Sequence, residues 1–366
     1  MSDSIEKKLW EEVKAERAEK RALESRIRSL EKELAPVRDA EALQARLSQA
    51  VHDAKPRPWL KRPAKGNHVG PGVPVLFLSD LHMNEEVRPE DVAGRNRFNP
   101  DIADERLERV FQGAFDIAFQ HMVLPNGWKY PGIVIALGGD NIDNLLGNYH
   151  ASDRHAGYLD QAVARCTNGL AQGIAEARRR FGNVLVVCVP GNHGRTTPKM
   201  PSVNAGGTSL DNIIYGNLRN HRLLSGPGID FVISGGVEAR FKVYDHAFVL
   251  THGYQWRGGD GEIGSLGPVT RGVKRLRSKY RQMGLDVDTV LVAHFHQYHP
   301  SQGFIMNGSL KGYDALAMQL SFAYEPPIQA LFFVHPDRGI TCQWPVHAEP
   351  KAAHKLAAWA AVEGAV

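Results

Sequence analysis

Cysteine is scarce in this 366-residue chain. Cys166, Cys188 and Cys342 are odd in number and far apart. They offer neither a disulfide framework nor a thiolate zinc site, which points to a reducing compartment. No run approaches the roughly 20 apolar residues that a membrane-spanning helix needs. The stretch from Glu6 to Lys20 is too highly charged for a secretory leader. Charge of one sign is also modest, at +4 net, so an anionic partner is permitted but not demanded. Hydrophobic residues at 43% and charged residues at 23% describe an ordinary soluble chain. The expectation is a soluble, cytoplasmic protein with no membrane partner.

Glycine is absent from residues 1–53, which are rich in Glu, Lys, Arg, Ala and Leu. Leu23, Ile27, Leu30, Leu34 and Val37 step by alternating fours and threes, the seam of a coiled coil. This segment is expected to be a coiled-coil helix that makes a homo-oligomer, although packing on its own domain would use the same stripe. Residues 54–72 are broken by Pro and Gly and read as a basic linker. Strands are expected at 74–79, 132–137, 184–189, 229–234, 238–244, 247–251, 289–293, 303–306, 329–334 and 339–343. Helices are expected at 101–122, 155–180, 208–222 and 269–283. The alternation in the first half predicts parallel βαβ units, and the strand-rich second half predicts added antiparallel pairing. The fold class is therefore α/β, with two packed sheets flanked by helices. The catalytic domain is placed at 73–347, with a helical tail over 348–366.

Five short segments follow apolar, β-branched runs. They are Ser79-Asp80-Leu81-His82, Gly139-Asp140-Asn141-Ile142-Asp143, Gly191-Asn192-His193, Thr251-His252-Gly253 and Ala293-His294-Phe295-His296. In α/β sheets the carboxyl ends of strands form the usual ligand crevice. Asp80 and His82, like His294 and His296, are two residues apart, so a continuing strand would point each pair one way. Two Asp, one Asn and four His, with one His to spare, can hold two adjacent divalent metals. Such a pair of ions is a known solution for attacking a phosphate ester.

The order of these motifs resembles the calcineurin-like metallophosphoesterases, over roughly residues 74–345. The resemblance implies an α-β-β-α sandwich. It implies one metal held by Asp80, His82, Asp140 and His296. A second would be held by Asp140, Asn192, His252 and His294, with Asp140 bridging and a metal-bridging hydroxide as nucleophile. His193 is then the imidazole that protonates the leaving oxygen, and Asp143 orients it. Mixed N and O ligands suit Mn²⁺ best, with Fe²⁺, Zn²⁺, Co²⁺ or Mg²⁺ also admitted. Asn144-Leu145 replaces the Arg-Gly of protein phosphatases, and Gly194-Arg195 replaces the acidic residue that commonly follows Gly-Asn-His. Arg195 is a candidate to restore positive charge near the substrate.

The Ser-Asp-Leu-His opening is similar to that of DNA repair exonucleases and other diesterases, and similar openings also occur in lipid-precursor pyrophosphatases. Arg97-Phe98-Asn99-Pro100 and the Gly-rich 257–261 resemble phage-encoded nuclease-like members. The segment 271–281 carries six basic residues and no acid. Such a segment suits a nucleic-acid backbone, with Arg275 and Arg277 as substrate-binding candidates. A solvated basic face over a buried Val273, Leu276 and Tyr280 fits the same spacing. The expected function is a metal-dependent phosphodiesterase, a nuclease acting on DNA. A small-molecule nucleotide phosphatase or phosphodiesterase is the alternative. A protein phosphatase and a non-catalytic assembly protein are less favoured.

Overall fold

The computed structural model describes residues 10, 14, 16–32, 70, 72–122, 129–144, 154–197, 205–256 and 264–349. The chain divides into two compact units, Met1–Gly66 and Asn67–Val366. In the first, α1 (16–32) is an exposed helix that shows Leu23, Ile27 and Leu30 to solvent. The rest of the expected seam, including Leu34 and Val37, lies outside the described residues, as does the helix expected over 350–361. No helix among the described residues is long and apolar enough to cross a membrane.

The second unit begins with β1 (Val73–Leu78), the short β2 (Glu85–Glu86) and α2 (Pro100–Asp116). The side chain of Asn99 accepts from the Ile102 N–H and caps α2, and Pro100 takes the first helical position, where its missing N–H costs nothing. Next come β3 (Ile133–Leu137), the short β4 (Arg154–His155), α3 (Leu159–Phe181), β5 (Val184–Cys188), α4 (Leu210–Arg219) and β6 (Ile229–Ile233). Then follow β7 (Glu238–Val243), β8 (His246–Thr251), α5 (Leu266–Gln282), β9 (Thr289–Val292), β10 (His299–Ser301) and β11 (Phe304–Met306). The chain closes its described part with α6 (Ala315–Gln319), β12 (Ile328–His335) and β13 (Gly339–His347).

Sheet 1 has the order β13-β12-β1-β3-β5-β6 and sheet 2 the order β10-β11-β9-β8-β7. Strands β1, β3, β5 and β6 are mutually parallel, while β12 and β13 add antiparallel edges. Side chains alternate between the faces of a strand, and the cores follow that rule. Val75, Phe77, Val134, Ala136 and Val187 meet Phe241, Phe248, Leu250, Leu291 and Ile305 between the sheets. Leu76, Leu78, Ile135 and Val186 face the other way, against Leu107, Phe111, Leu170 and Ile214 of α2, α3 and α4. Beyond sheet 2, Val249, Val290, Val292 and Phe304 pack on Val269, Val273 and Leu276 of α5 and on Trp256. The layers are α-β-β-α.

All ten expected strands are present. Helix α2 ends earlier than expected, at Asp116, and a π-turn over Ile117–His121 completes the segment. Strands β2, β4 and β10 and helix α6 were not expected; each has five residues or fewer, too short to show a period.

Candidate metal centre

The five motif loops leave the carboxyl ends of β1, β3, β5, β8 and β9 and converge between the sheets. The first two loops are zipped together: Asp80 N donates to Gly139 O (3.0 Å), His82 N to Asp140 O (3.1 Å) and Met83 N to Asn141 O (2.9 Å). Close approach of the third loop requires glycine. A Cβ on Gly191 would collide with the Asp140 carboxylate, and one on Gly139, at φ 89°, with the backbone of Gly191.

The expectation that each i, i+2 pair rides a continuing strand is corrected by the backbone. Strand β1 ends at Leu78 and β9 at Val292, so both pairs lie on loops. Asp80 (φ 52°), His82 (φ 48°), Asp140 (φ 54°), His294 (φ 73°) and His296 (φ 54°) are left-handed. They make up five of the eight non-glycine residues with positive φ among those described. Each such residue costs on the order of 1–3 kcal/mol and persists where the surroundings enforce it, most often at functional sites.

Three trios of ligand-type atoms result: His82, Asp143 and His193 form one, and the expected ligands form the other two. Asp80, His82 and His296 bring one donor atom each within 4.8 Å of one another, and Asp140, His252 and His294 do the same. His296 Nε2 lies 3.3 Å from both Asp80 Oδ1 and His82 Nε2. The two trios of expected ligands adjoin through His294 N, which donates to both carboxylate oxygens of Asp80 (3.2 Å each). Asn192 sits on the loop beside them, where the next residue's backbone N–H donates to Asp140 Oδ1 (2.7 Å).

Imidazole tautomers are set by the supporting contacts. His252 Nδ1 donates to Gly138 O (2.8 Å), and His82 Nδ1 pairs with Asp143 Oδ2 (2.8 Å). Each ring therefore turns Nε2 inward, the arrangement in which an outer partner orients a metal ligand. Burial holds His294 down at about 3 and lowers His82, so both keep a lone pair at neutral pH. Burial also opposes charge on Asp80, but His296 and His252 beside it hold its pKa down at about 2.

His252 Nε2 and Asp140 Oδ2 test the fit of a metal. They lie 2.9 Å apart and fully buried as an ion pair, and neither atom has any other hydrogen-bond partner. An imidazole nitrogen and a carboxylate oxygen that converge with only each other as partners are a donor set for a cation once the ring gives up its proton. Burial disfavours charge on His252, and Asp140 overcomes this, raising its pKa to about 9. The pair thus attracts positive charge, and a divalent ion satisfies both atoms at once.

His193 stands at the edge of the donor set. Its Nδ1 pairs with Asp143 Oδ1, so one carboxylate holds both His193 and the ligand His82. Burial alone would lower His193, but Asp140 and Asp143 raise its pKa to about 10, so the ring carries a proton to give.

The other expected substrate contacts are placed differently. Arg195 is 7% exposed and spends its guanidinium on Asn192 O (2.9 Å) and Thr197 O (3.0 Å), where it braces the Asn192 loop. Arg277 donates to the carbonyls of Asp288 and Gly303, and Lys279 pairs with Glu238 (2.6 Å). Arg275 and Lys274 are exposed on α5. The buried face of that helix is formed by Val273 and Leu276, with Tyr280 partly buried.

Sequence reasoning missed Asp211, on the first turn of α4 and fully buried. It accepts from Asp140 N (3.2 Å), Gly191 N (2.8 Å), Asn141 N (3.0 Å) and Asn141 Nδ2 (2.6 Å). One carboxylate therefore fastens the second motif loop to the third. Gly194, where an acid was expected, is the one sequence signal: its bare Cα faces the Asp211 carboxylate, which supplies an acid from a different element. Also missed was a buried cluster in which Lys311 Nζ bonds Glu85 (2.8 Å) and Asp314 (2.7 Å), with Glu85 3.5 Å from His82 Nδ1.

No family model matches the chain. No curated protein matches it. Among solved structures, Vps29 complexed with Zn²⁺ from Entamoeba histolytica overlaps 76% of this chain and 100% of its own, at 13% identity and a TM-score of 0.31. YfcE, a phosphoesterase from E. coli, overlaps 75% of this chain and 100% of its own, at 13% identity and a TM-score of 0.30. Vacuolar protein sorting 29 from Cryptosporidium parvum overlaps 71% and 84%, at 13% identity and a TM-score of 0.28. At such scores these overlaps carry no chemistry across. The donor geometry alone marks a buried candidate centre for divalent metal.

Proposed function

We propose that the chain is a metal-dependent phosphoesterase of the calcineurin-like kind, with a two-ion centre built from Asp80, His82, Asp140, Asn192, His252, His294 and His296. The carrying observation is the buried Asp140–His252 pair, whose facing atoms have only each other as partners, beside a second donor trio. Two divalent ions in such a centre supply Lewis acidity and a water of lowered pKa. The chain's own residues do the rest. Asp143 fixes the His193 ring through Nδ1, and His193 delivers a proton from Nε2 to the departing oxygen. The expected resident ion is Mn²⁺, on the mixed N and O donors.

The test is chelation followed by equilibrium binding of Mn²⁺ and of Zn²⁺, with hydrolysis of bis(p-nitrophenyl) phosphate recorded in parallel. Two ions per chain and a rate that follows their loading are expected. A chain that binds no ion at micromolar concentration would sink the reading.

The substrate class we favour is nucleic acid, with DNA as the first candidate. Exposed Lys274 and Arg275 on α5 support it, because cations on one helix neutralise successive phosphates. Arg277 and Lys279 are engaged within the fold, so the test uses Lys274→Glu with Arg275→Glu. Weaker DNA cleavage with unchanged turnover of the small diester is expected. Equal loss on both substrates would remove α5 from the substrate surface.

Self-association through α1 is the partner we propose for the exposed Leu23, Ile27 and Leu30 stripe. Deleting residues 1–53 should lower the light-scattering mass by more than the deleted segments account for. An unchanged number of subunits would reject it.

A further inference from the structure

The segment 314–325 is tied to the metal centre at both ends. At its start, the buried Asp314 bonds Lys311 (2.7 Å), which bonds Glu85 (2.8 Å), which lies 3.5 Å from His82 Nδ1. At its end, Glu325 accepts from Tyr298 N (2.8 and 2.9 Å), two residues beyond His296. Between these anchors, from Ala315 to Tyr324, there is no charged residue.

The tip of this segment is apolar and uncovered. Met318 is 43% exposed, Leu320 53%, Phe322 51% and Tyr324 52%. These are four of the twelve large exposed apolar side chains among the described residues beyond Gly66, gathered into seven residues. Local hydrogen bonds hold the tip in shape. Ser321, at φ 57°, turns the chain so that Phe322 N donates to Ala317 O (2.9 Å), and Tyr313 Oη donates to Phe322 O (3.3 Å). The Tyr313 ring meets Tyr324 edge-on at 5.5 Å. An exposed apolar stretch held in place beside a reactive centre marks a contact surface.

We propose that Phe322 and Tyr324 form a platform for a nucleobase of the ester whose phosphate lies at the metal centre. This rests on the phosphoesterase reading and names the part of the substrate that the metals do not hold. A segment without charge has nothing to offer a phosphate. Aromatic rings beside a phosphate site suit a base, whose flat face stacks on them with little regard to sequence. The metals and α5 take the backbone charge, and the tip takes the base.

The test compares two esters with the same leaving group: thymidine 5′-(p-nitrophenyl phosphate) and methyl p-nitrophenyl phosphate. The full-length protein is loaded with Mn²⁺, and the wild type is set beside a Phe322→Ala/Tyr324→Ala double variant. The preference for the nucleoside ester, as a ratio of kcat/KM values, should fall about tenfold in the double variant, a magnitude usual for one lost stack. Phe322→Tyr, which keeps the ring, should preserve it. An unchanged ratio overturns the platform while leaving the phosphoesterase intact. A wild type that hydrolyses neither ester overturns both. Wild type that sediments with phosphatidylglycerol vesicles, with the double variant left in solution, assigns the tip to acyl chains and overturns the nucleobase.

Discussion

Sheet 1 contributes every oxygen donor of the centre, and sheet 2 contributes only imidazoles. Asp80, Asp140 and Asn192 leave β1, β3 and β5, with His82 and His193 beside them. His252, His294 and His296 leave β8 and β9. Support differs in the same way. The loops of sheet 1 are fastened by buried carboxylates, Asp143 holding two rings and Asp211 four N–H groups. The loops of sheet 2 lean on main chain and on sheet 1, as in Ala293 N on His252 O, His252 Nδ1 on Gly138 O and His294 N on the Asp80 carboxylate. One half of the site brings fixed negative charge, and the other brings imidazole nitrogens at a more open edge. That division predicts unequal consequences when residues of the two halves are removed.

Asp140→Asn should have the largest effect. It removes the charge that faces His252 of the other sheet, so the Asp140, His252 and His294 trio loses its anion, and on the proposed two-ion reading the ions lose the carboxylate between them. Metal content measured by mass spectrometry should fall below one ion per chain. Hydrolysis should fall by far more than the roughly 100-fold that a lost supporting contact costs. Retention of two ions would break the division, since it would make the Asp140 charge dispensable. His296→Ala, at the open edge, should be milder. One ion should stay with Asp140, His252 and His294, and activity should drop about a hundredfold, near the upper end of that same range. Loss of both ions would show that the halves load only together.

Asp211→Asn sharpens the comparison, because it alters support without touching a donor. Two of the four N–H groups on the carboxylate would face an amide in place of an acceptor. Metal affinity by calorimetry should weaken about 10- to 100-fold, with the circular dichroism spectrum unchanged. The weakening should fall on one of the two ions only. Equal weakening of both, or none, would limit Asp211 to holding the fold.

The uneven legibility of the site follows from the same division. Every candidate donor was readable, because each sits just past an apolar strand, a local signal. The strands were readable for the same reason, and Val75 to Leu78 or Val184 to Cys188 are apolar on both faces as a central strand requires. The left-handed backbone of Asp80, His82, Asp140, His294 and His296 was not readable, because it is imposed by loops far apart in sequence and zipped together, as His82 N is on Asp140 O. Asp211 was invisible for a related reason: an acid on a helix's first turn is ordinary there. Its four bonds reach residues 20 to 71 positions away. Arg195 and Arg277 show the converse, since basic residues near a site were absorbed by carbonyls that no sequence pattern marks.

The smallest expected effect tests the seam between the sheets. Asn307 follows β11 of sheet 2 and donates to Phe77 O (3.1 Å), Ser79 Oγ (2.9 Å) and Gln329 Oε1 (3.1 Å), all in or beside sheet 1. Its own Oδ1 accepts from Ala330 N (2.9 Å). Ser79 Oγ in turn donates to Asp80 Oδ2 (2.6 Å), so the seam ends on a metal donor. Asn307→Ala strips a fully buried hub and leaves Ala330 N without its acceptor, at a cost of about 1–3 kcal/mol in stability. Denaturant unfolding should show that loss. Ser79 keeps its own hydrogen bond to Asp80, so the donor stays in place and hydrolysis at saturating Mn²⁺ should fall by less than in Asp211→Asn. A larger loss of rate than in Asp211→Asn would mean that Asp80 depends on sheet 2 for its placement. Sheet 1 would then no longer be the self-sufficient half of the centre.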